Sequence, residues 1–339
     1  MMRDAIRRWL DGDDAAEDAV RKLEESETWP AKAFDSATTR RLIALAHDAL
    51  SRDPNRAVWI SRLAIRMARE GEALIDEGDA WREYAAALLE VGDYEAAYIA
   101  VVRARMVYQL TNGAEHNQAV LWAVEGRILH ELGDSIRALQ RIDASARTLL
   151  RLNDKKTYVR VRSIYAMVLF NLCRYREAAD MYAKMVNDFD TETLAHAVNM
   201  IGRCAVKLDD VERAQQCFET ALEMFEQLGL HAEIPRVRKG IADILLVQGR
   251  THEAISELYK SRAEFLAMSL PVMAALVTLD IVELLIEVGR TSEIALLCDD
   301  AMPRSIANAF SALRDRAGRA TGQDVQRVRD FLERLPMEA

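Results

Sequence analysis

The 339-residue sequence predicts an all-α protein built as a series of helical hairpins, and three observations support that fold class. The chain is half hydrophobic but contains only 6 prolines and 14 glycines, a composition that favours folded helices. A short turn motif recurs at similar spacing along the chain, and small residues recur at two fixed positions around it. Hairpins that repeat in an unbroken row form an α-solenoid.

The turn motif defines the repeating unit. Its copies are GDYEAA at 92–97, GDSIRA at 133–138, CRYREA at 173–178, DDVERA at 209–214, GRTHEA at 249–254 and GRTSEI at 289–294. Roughly 14 residues with helical periodicity precede each copy and roughly 16 follow it. The sequence therefore predicts one helical hairpin for every repeat of about 40 residues.

The residues of each motif suit the end of one helix and the start of the next. Glycine can take the left-handed conformation that ends a helix, as we expect for Gly92, Gly133, Gly249 and Gly289. Short polar side chains cap the following helix, and the residues expected to do so are Asp93, Asp134, Asp210, Thr251 and Thr291.

Small residues on both sides of the turn predict close helix packing within each hairpin. Five residues after the motif begins, the chain has Ala97, Ala138, Ala178, Ala214 or Ala254. Seven residues before it, the chain has Ala85, Gly126, Ala166, Gly202 or Ala242. Small side chains at a crossing point let two helices approach closely. The last copy differs, with Val282 and Ile294, as terminal repeats often do.

These positions resemble those of the tetratricopeptide repeat (TPR) family over roughly residues 78–310. The matching residues are Trp81, Tyr84, Ala85, Leu88, Gly92, Tyr94, Ala97 and Ala104 in one unit, and Trp122, Gly126, Leu129, Gly133 and Ala138 in the next. The resemblance implies a right-handed superhelical α-solenoid that binds a partner on its concave face. The long period is similar to that of bacterial regulatory proteins, including MalT-like activators and Rap/PlcR-type peptide receptors.

The flanking segments are less regular and complete the predicted domain organisation. We expect an N-terminal helical cap at 1–37, a degenerate hairpin at 38–77 turning at Asp53-Pro54, six TPR-like hairpins at 78–304 and C-terminal capping helices at 305–339. Pro54 fits the first turn of the second helix of the degenerate hairpin.

Composition and charge exclude several classes of protein. The formal net charge of −9 argues against nonspecific binding of the whole molecule to DNA or to an anionic membrane. The N-terminus has no apolar core of a secretory signal, and no stretch is apolar enough to span a membrane. The four scattered cysteines are expected to be buried thiols in a reducing cytoplasm. The predicted location is therefore the cytoplasm.

No catalytic or metal-binding motif is present, so we expect no enzymatic activity, no metal and no cofactor. The six histidines form no His-Glu-x-x-His pair and have no ligand spacing with cysteines. The sequence also contains no Gly-x-Ser-x-Gly elbow, phosphate-binding loop or Gly-rich dinucleotide turn.

The candidate functional residues are those that the TPR resemblance places on the concave face of the middle units. They are predominantly basic, opposed only by Glu131 and Asp243, whereas the outer units have Asp79, Glu90, Glu283 and Glu287 at equivalent positions. Phe170 lies among them. The predicted partner-binding groove consists of Arg127, Arg160, Ser163, Met167, Asn199, Arg203, Lys207, Arg236 and Lys239.

We therefore expect a bacterial regulatory scaffold or adaptor that binds an acidic segment of another protein, because arginine grips carboxylates bidentately. A second interpretation is that these cations are ordinary solvated ion pairs. A third is a sensor whose superhelix changes shape when a peptide or small ligand binds. Single-stranded nucleic acid is less favoured, because the groove offers few aromatic rings apart from Phe170. The sequence does not decide whether the protein forms a homodimer.

Overall fold

The computed structural model describes residues 2–13, 15–25, 35–50, 53–188, 190–268, 270–299, 304–315 and 320–332. These residues form α-helices and two short 3-10 segments, and no strand occurs among them. The chain divides into two compact units, with unit 1 ending at Ile164 and unit 2 beginning at Tyr165. The division falls within a single long helix. The predicted all-α class with consecutive helical hairpins is confirmed.

Unit 1 is a row of helices. Its helices are α1 (Met2–Leu10), α2 (Ala15–Glu25), α3 (Ser36–Ala49), α4 (Pro54–Glu70), α5 (Leu74–Val91), α6 (Tyr94–Gln109), α7 (Glu115–Glu131), α8 (Ser135–Arg151) and the first part of α9 (Lys155–Asn171). The consecutive pairs that pack on each other are α1–α2, α3–α4, α4–α5, α5–α6, α6–α7 and α7–α8. Pro54 lies in the first turn of α4, as predicted, and the side chain of Asp53 caps that helix at the Arg56 amide, 2.7 Å away.

Unit 2 continues the series. After the second part of α9 come α10 (Tyr175–Met185), α11 (Thr191–Lys207), α12 (Val211–Leu228), α13 (Ile234–Val247), α14 (Thr251–Ala267), α15 (Pro271–Glu287), α16 (Ser292–Asp299), α17 (Arg304–Asp315) and α18 (Gly322–Leu332). The 3-10 segments are Val186–Asp188 and His231–Glu233. The predicted capping segments at 1–37 and 305–339 include residues 26–34 and 333–339, which lie outside the described residues.

Each copy of the repeated turn motif ends the helix before it in the same way. Gly133 has a φ of +85°, and Gly92, Gly249 and Gly289 are also left-handed, as predicted. Where the motif lacks glycine, Cys173 and Asp209 adopt φ values of +59° and +58°. The next amide closes the turn onto the carbonyl five residues earlier; the Asp134 amide, for example, lies 2.8 Å from the Leu129 oxygen. This is the Schellman arrangement, which satisfies carbonyls at the helix end.

The second helices begin with two kinds of cap. The side chains of Asp93, Asp134 and Asp210 accept a hydrogen bond from the amide three residues later, which confirms those predictions. The prediction for Thr251 is wrong, because α14 already includes it and the cap position is Arg250, which has no side-chain capping bond.

Arg250 instead pairs with Glu253 in the first turn of α14, at 2.7 and 2.6 Å. Equivalent Arg–Glu pairs occupy the other turns that have no aspartate at the cap position, namely Arg174–Glu177 and Arg290–Glu293. A glutamate near a helix N-terminus also interacts favourably with the helix dipole. The cap predicted at Thr291, which directly precedes α16, stays a prediction.

The small residues lie in the helix contacts, as predicted. All ten alanines and glycines of the two recurring positions are buried. A Cβ atom on Gly126 would lie 2.4 Å from Cγ1 of Ile142 and 3.0 Å from the carbonyl oxygen of Ala138. The hairpin of α7 and α8 is therefore closed too tightly for any side chain at position 126.

The cysteines only partly match the expected burial. Cys204 and Cys298 are buried and Cys217 is half-buried, but Cys173 is exposed. Its position in a helix-ending turn, where the backbone is left-handed, places it at the surface. None of the four forms a disulfide bond within the described residues.

Candidate functional site

Helices α9, α11, α13, α14, α15 and α18 line a cavity of about 450 Å³ in unit 2, the unit 2 cavity. Apolar side chains, including Phe170, Leu246 and Leu284, form part of its wall. Four cations and three carboxylates share the remaining surface, namely Arg203, Lys207, Lys239, Arg329, Asp243, Asp280 and Glu283. The arrangement of these charges decides what the cavity can bind.

Two of the four cations are neutralised by carboxylates within the cavity. Nζ of Lys239 lies 2.5 Å from Oδ2 of Asp280, and Nη2 of Arg329 lies 3.1 Å from Oδ1 of the same residue. The Arg329 guanidinium also contacts Glu283 at 3.0 Å. Asp280 thus bridges a lysine from α13 and an arginine from α18, and neither cation is available to a ligand without breaking a pair.

Arg203 and Lys207 form no ion pair in the described part of the chain. The guanidinium carbon of Arg203 lies 4.8 Å from the centre of the Phe170 ring, and its Nη1 lies 3.3 Å from Sδ of Met200. A guanidinium over an aromatic face is held by cation–π attraction but keeps its charge. Lys207 follows one turn later on the same face of α11. These two cations are the part of the cavity that could pair with an incoming carboxylate.

Asp243 is the third carboxylate of the unit 2 cavity. Burial raises its pKa above the ordinary value for aspartate, and the charge of Asp280 raises it further, against the opposing effect of Lys239 and Lys207. Burial disfavours the charged form of a carboxyl group. The group therefore neutralises the nearby cations less than a solvated aspartate would at mildly acidic pH.

Asn199 lies one turn before Arg203 on α11 and is 7% exposed. Its Oδ1 has no hydrogen-bond partner among the described residues. A buried amide oxygen without a partner loses solvation and gains nothing in return. Arg236 is exposed and forms an ion pair with Glu233 at 3.4 Å, and Met167 is half-buried on α9. None of these three predicted residues lines the unit 2 cavity.

A second cavity, of about 470 Å³, lies in unit 1 on α3, α5, α7 and α9; we call it the unit 1 cavity. Its wall is largely aliphatic, with Ile43 from α3, Leu50 directly after that helix, Val120 and Val124 from α7, and Val161 and Ile164 from α9. Cations stand at its edge, and two of them, Arg127 and Arg160, belong to the predicted groove. Arg127 pairs with Glu90 at 2.8 Å. The hydroxyl of Ser163 donates to the Val159 carbonyl at 3.1 Å, within α9.

A polar network closes one side of the unit 1 cavity. Glu83 accepts hydrogen bonds from Arg82 and contacts Nδ1 of His47 at 3.0 Å. Arg82 also contacts Asp79, which in turn accepts from Tyr108 and Asn117 at 2.6 and 2.8 Å. Burial alone would raise the pKa of Glu83, but the His47 hydrogen bond and the Arg82 charge outweigh it and lower the pKa. The same hydrogen bond raises the pKa of His47.

The predicted groove residues thus fall into separate sets. Arg203, Lys207 and Lys239 line the unit 2 cavity, and Arg127 and Arg160 line the unit 1 cavity. Reasoning from sequence missed Arg329, which reaches the unit 2 cavity from a helix far along the chain, with no pattern to indicate it. It also missed Asp280, although this residue is three positions before the predicted acidic Glu283 and shares its helix face.

The described residues of the two cavities do not form a metal-binding cluster. No group of three or more His, Cys, Asp or Glu side chains is placed to hold a metal ion in the ranges that the structure describes. Within the same ranges, no helix is both long and apolar enough to cross a membrane.

Comparison with known proteins connects this fold to a family. The tetratricopeptide repeat family model matches residues 195–228, which span α11 and α12. No curated protein sequence matches the chain.

Several solved structures share the fold at low sequence identity. A Rap protein complexed with Competence and Sporulation Factor is 11% identical with a TM-score of 0.59, over 98% of this chain and 96% of that one. Aspartyl phosphate phosphatase F from Bacillus subtilis is 10% identical with a TM-score of 0.58, over 90% of this chain and 76% of that one. A tetratricopeptide repeat protein from Parabacteroides merdae is 13% identical with a TM-score of 0.52, over 87% and 98%.

At identities this low, the solved structures show that the fold is shared, but their activities do not transfer to this chain. The matched repeat nevertheless coincides with a hairpin whose turn, cap and small residues recur along the chain. The chain therefore contains a tetratricopeptide repeat at residues 195–228 and has the helical-repeat fold of the solved TPR structures.

Proposed function

We propose that the protein is a non-catalytic regulatory adaptor of the bacterial cytoplasm, and that unit 2 binds an acidic segment of a partner protein. TPR folds serve as protein-interaction scaffolds, which is the general function that the fold supports. The Rap protein of known structure is complexed with a factor, which favours a regulatory role. The partner would perform any chemistry or DNA binding.

One observation carries this proposal. In the unit 2 cavity, Lys239 and Arg329 are paired with carboxylates, whereas Arg203 and Lys207 have no such partner in the described residues. An incoming glutamate or aspartate can therefore bind these two without displacing an internal partner. A charge-assisted hydrogen bond is roughly twice as strong as a neutral one. The apolar wall, with Phe170 beneath Arg203, suits aliphatic side chains between the acidic ones.

Asn199 is not part of this proposed contact, because it does not line the unit 2 cavity and its Oδ1 is buried. We do not extend the contact to Arg236 either, because it already has a carboxylate partner in Glu233.

The test uses fluorescently labelled peptides in which glutamate and leucine alternate, with a glutamine version as the uncharged control. We expect the acidic peptide to bind the full chain and to weaken between about 0.1 and about 0.5 M salt, because screening reduces charge contacts. Replacing both Arg203→Glu and Lys207→Glu should reduce the affinity by about tenfold or more.

The matched control is Arg176→Glu, an exposed arginine on α10 that does not line the unit 2 cavity. It changes the net charge of unit 2 in the same direction and should leave the peptide affinity within about twofold. Equal affinities for the wild type and the double variant would contradict the proposal. If the double variant instead binds the peptide more weakly, affinity purification with the wild type and the double variant as bait identifies the natural partner as the protein that only the wild type retains.

A further inference from the structure

The unit 1 cavity differs in chemistry from the unit 2 cavity. Its wall is formed mainly by valine, isoleucine, leucine and alanine side chains of four helices, and its volume is about 470 Å³. Small-molecule sites typically have volumes of about 300–1,000 Å³, with a mostly apolar lining and a few placed polar groups. This cavity has that composition and size.

The cations at its edge are almost all neutralised internally. Arg40 contacts Asp76 at 2.8 Å, Arg82 contacts Glu83 at 3.0 Å and Arg127 contacts Glu90 at 2.8 Å. His47 shares the same Glu83 at 3.0 Å. Each of these groups already has the hydrogen-bonded carboxylate that a ligand would otherwise supply.

Arg160 is the exception on this wall. It is exposed on α9, lines the cavity, and has no carboxylate partner in the part of the chain that the structure describes. Val161 and Ile164 of the same helix lie on the aliphatic wall beside it. The site therefore presents one uncompensated positive charge next to an aliphatic surface.

We infer that the unit 1 cavity binds an aliphatic monocarboxylate, a medium-chain fatty acid, with its chain on the aliphatic wall and its carboxylate on Arg160. The chain would gain by leaving water, because burial of apolar surface is favourable in proportion to its area. The carboxylate would accept hydrogen bonds from the guanidinium at the cavity edge, where both groups stay partly solvated.

Two competing ligand classes fit this cavity less well. A peptide segment would bury its own amides against helices whose backbone groups are already bonded internally, and unpaired buried amides are costly. A ligand with two carboxylates would place the second one beside groups that are already paired, or beside Glu83. One carboxylate on an aliphatic chain matches both the single charge and the apolar wall.

The test is calorimetric titration of the full chain with sodium decanoate below its micelle concentration, with decanol as the uncharged ligand of similar length. We expect saturable binding of one decanoate per chain and clearly weaker binding of decanol. Replacing Arg160→Gln should weaken decanoate by about tenfold and leave decanol unchanged, because only the carboxylate contact is lost.

Two further variants separate the cavity from its surroundings. Ala44 is exposed on α3 and lines the cavity, so Ala44→Trp should fill the space from the helix surface and abolish binding without disturbing the core. Arg103 is exposed on α6 and does not line the cavity, so Arg103→Gln should bind decanoate like the wild type. Circular dichroism and thermal unfolding establish that each variant is folded.

Four outcomes would overturn the inference. The first three are the absence of saturable binding, equal binding of decanol and decanoate, and a decanoate affinity that Arg160→Gln does not change. A pentapeptide ending in two leucines that bound more tightly than decanoate would reassign the site to a peptide C-terminus. The inference does not depend on the proposed function: the Arg203→Glu, Lys207→Glu variant should bind decanoate normally, so failure at one cavity is distinguishable from failure at the other.

Discussion

At the residue scale, the turn that ends each first helix requires a left-handed backbone, and not every copy meets that requirement with glycine. Gly92, Gly133, Gly249 and Gly289 adopt it freely, whereas Cys173 and Asp209 carry a Cβ in the same conformation. A left-handed conformation costs a residue with a Cβ about 1–2 kcal/mol, with aspartate towards the tolerant end. These two turns are therefore local sites of reduced stability.

Replacing Asp209→Gly should raise the free energy of unfolding by about 0.5–1 kcal/mol, since the strain removed exceeds the added entropy of the unfolded chain. Urea unfolding followed by circular dichroism measures the change. Asp209→Asn serves as the control, because it removes the charge but keeps the side chain. The converse change, Gly133→Asp, should destabilise by a similar amount, since a Cβ there meets no atom within 4 Å and only the backbone conformation opposes it. A stability gain for Asp209→Asn equal to that of the glycine variant would contradict the backbone argument.

The ionisation of a single residue, Asp243, makes the stability of the protein depend on pH. Its pKa is raised by burial, so the folded chain keeps the proton over a pH range in which the unfolded chain has lost it. The stability that this group contributes is therefore present at low pH and falls as the pH rises from the ordinary aspartate pKa of 3.8 through the raised pKa of the folded state.

Asp243→Asn removes this pH dependence. The variant should match the wild type below the ordinary aspartate pKa and be more stable at neutral pH, as measured by urea unfolding over a pH series. It should also bind the acidic peptide more tightly, because a competing carboxylate near Lys207 and Arg203 is lost. A variant less stable than the wild type at neutral pH would show that ionised Asp243 is stabilised by its neighbours more than it is penalised by burial.

At the element scale, the hairpin of α7 and α8 is held by close approach at Gly126. A side chain at this position would contact Ile142 and the Ala138 carbonyl, and overpacking of this kind costs about 1–3 kcal/mol. The gain in helix propensity from glycine to alanine, about 1 kcal/mol, offsets only part of it.

Gly126→Ala should therefore lower the free energy of unfolding by about 1 kcal/mol or slightly more, and Gly126→Leu by about 2–3 kcal/mol. Thermal and urea unfolding measure both. Shortening the facing residue in the double variant Gly126→Ala, Ile142→Val should recover part of the loss, since it removes part of the contact. If the effects of the two substitutions on the free energy of unfolding simply add, contact with Ile142 is not the reason that Gly126→Ala is destabilising.

At the scale of the whole molecule, the net charge of −9 and the local charges of the two cavities have opposite signs. The net charge repels an acidic ligand at long range, whereas Arg203, Lys207 and Arg160, which have no ion pair among the described residues, attract it at short range. An acidic partner is therefore selected by contact with particular side chains, and nonspecific binding to the rest of the surface is suppressed. Added salt screens both effects, so the change in peptide affinity between about 0.1 and about 0.5 M salt reports their balance.

Much of the fold could be predicted because its determinants are local in sequence. The left-handed glycines, the aspartate caps and the small residues at the helix crossings each act within one hairpin, and the structure confirms them. The exceptions are also local: the Arg250–Glu253 pair replaces the cap predicted at Thr251, because α14 begins one residue earlier than expected. The candidate site was less predictable, because TPR positions indicate which face a residue occupies but not which residue it pairs with.

The sequence by itself determined a helical repeat protein with a TPR-like fold, and it predicted basic residues on one face of the middle helices. Only the tertiary structure decided which of those basic residues keep an unpaired charge. Arg127 is paired with Glu90 and Lys239 with Asp280, while Arg160, Arg203 and Lys207 are not paired within the described residues. The physical reason is range: helix periodicity and turn chemistry act over a few residues, whereas an ion pair depends on which distant helices meet, and Arg329 joins the unit 2 cavity only because α18 packs on α15.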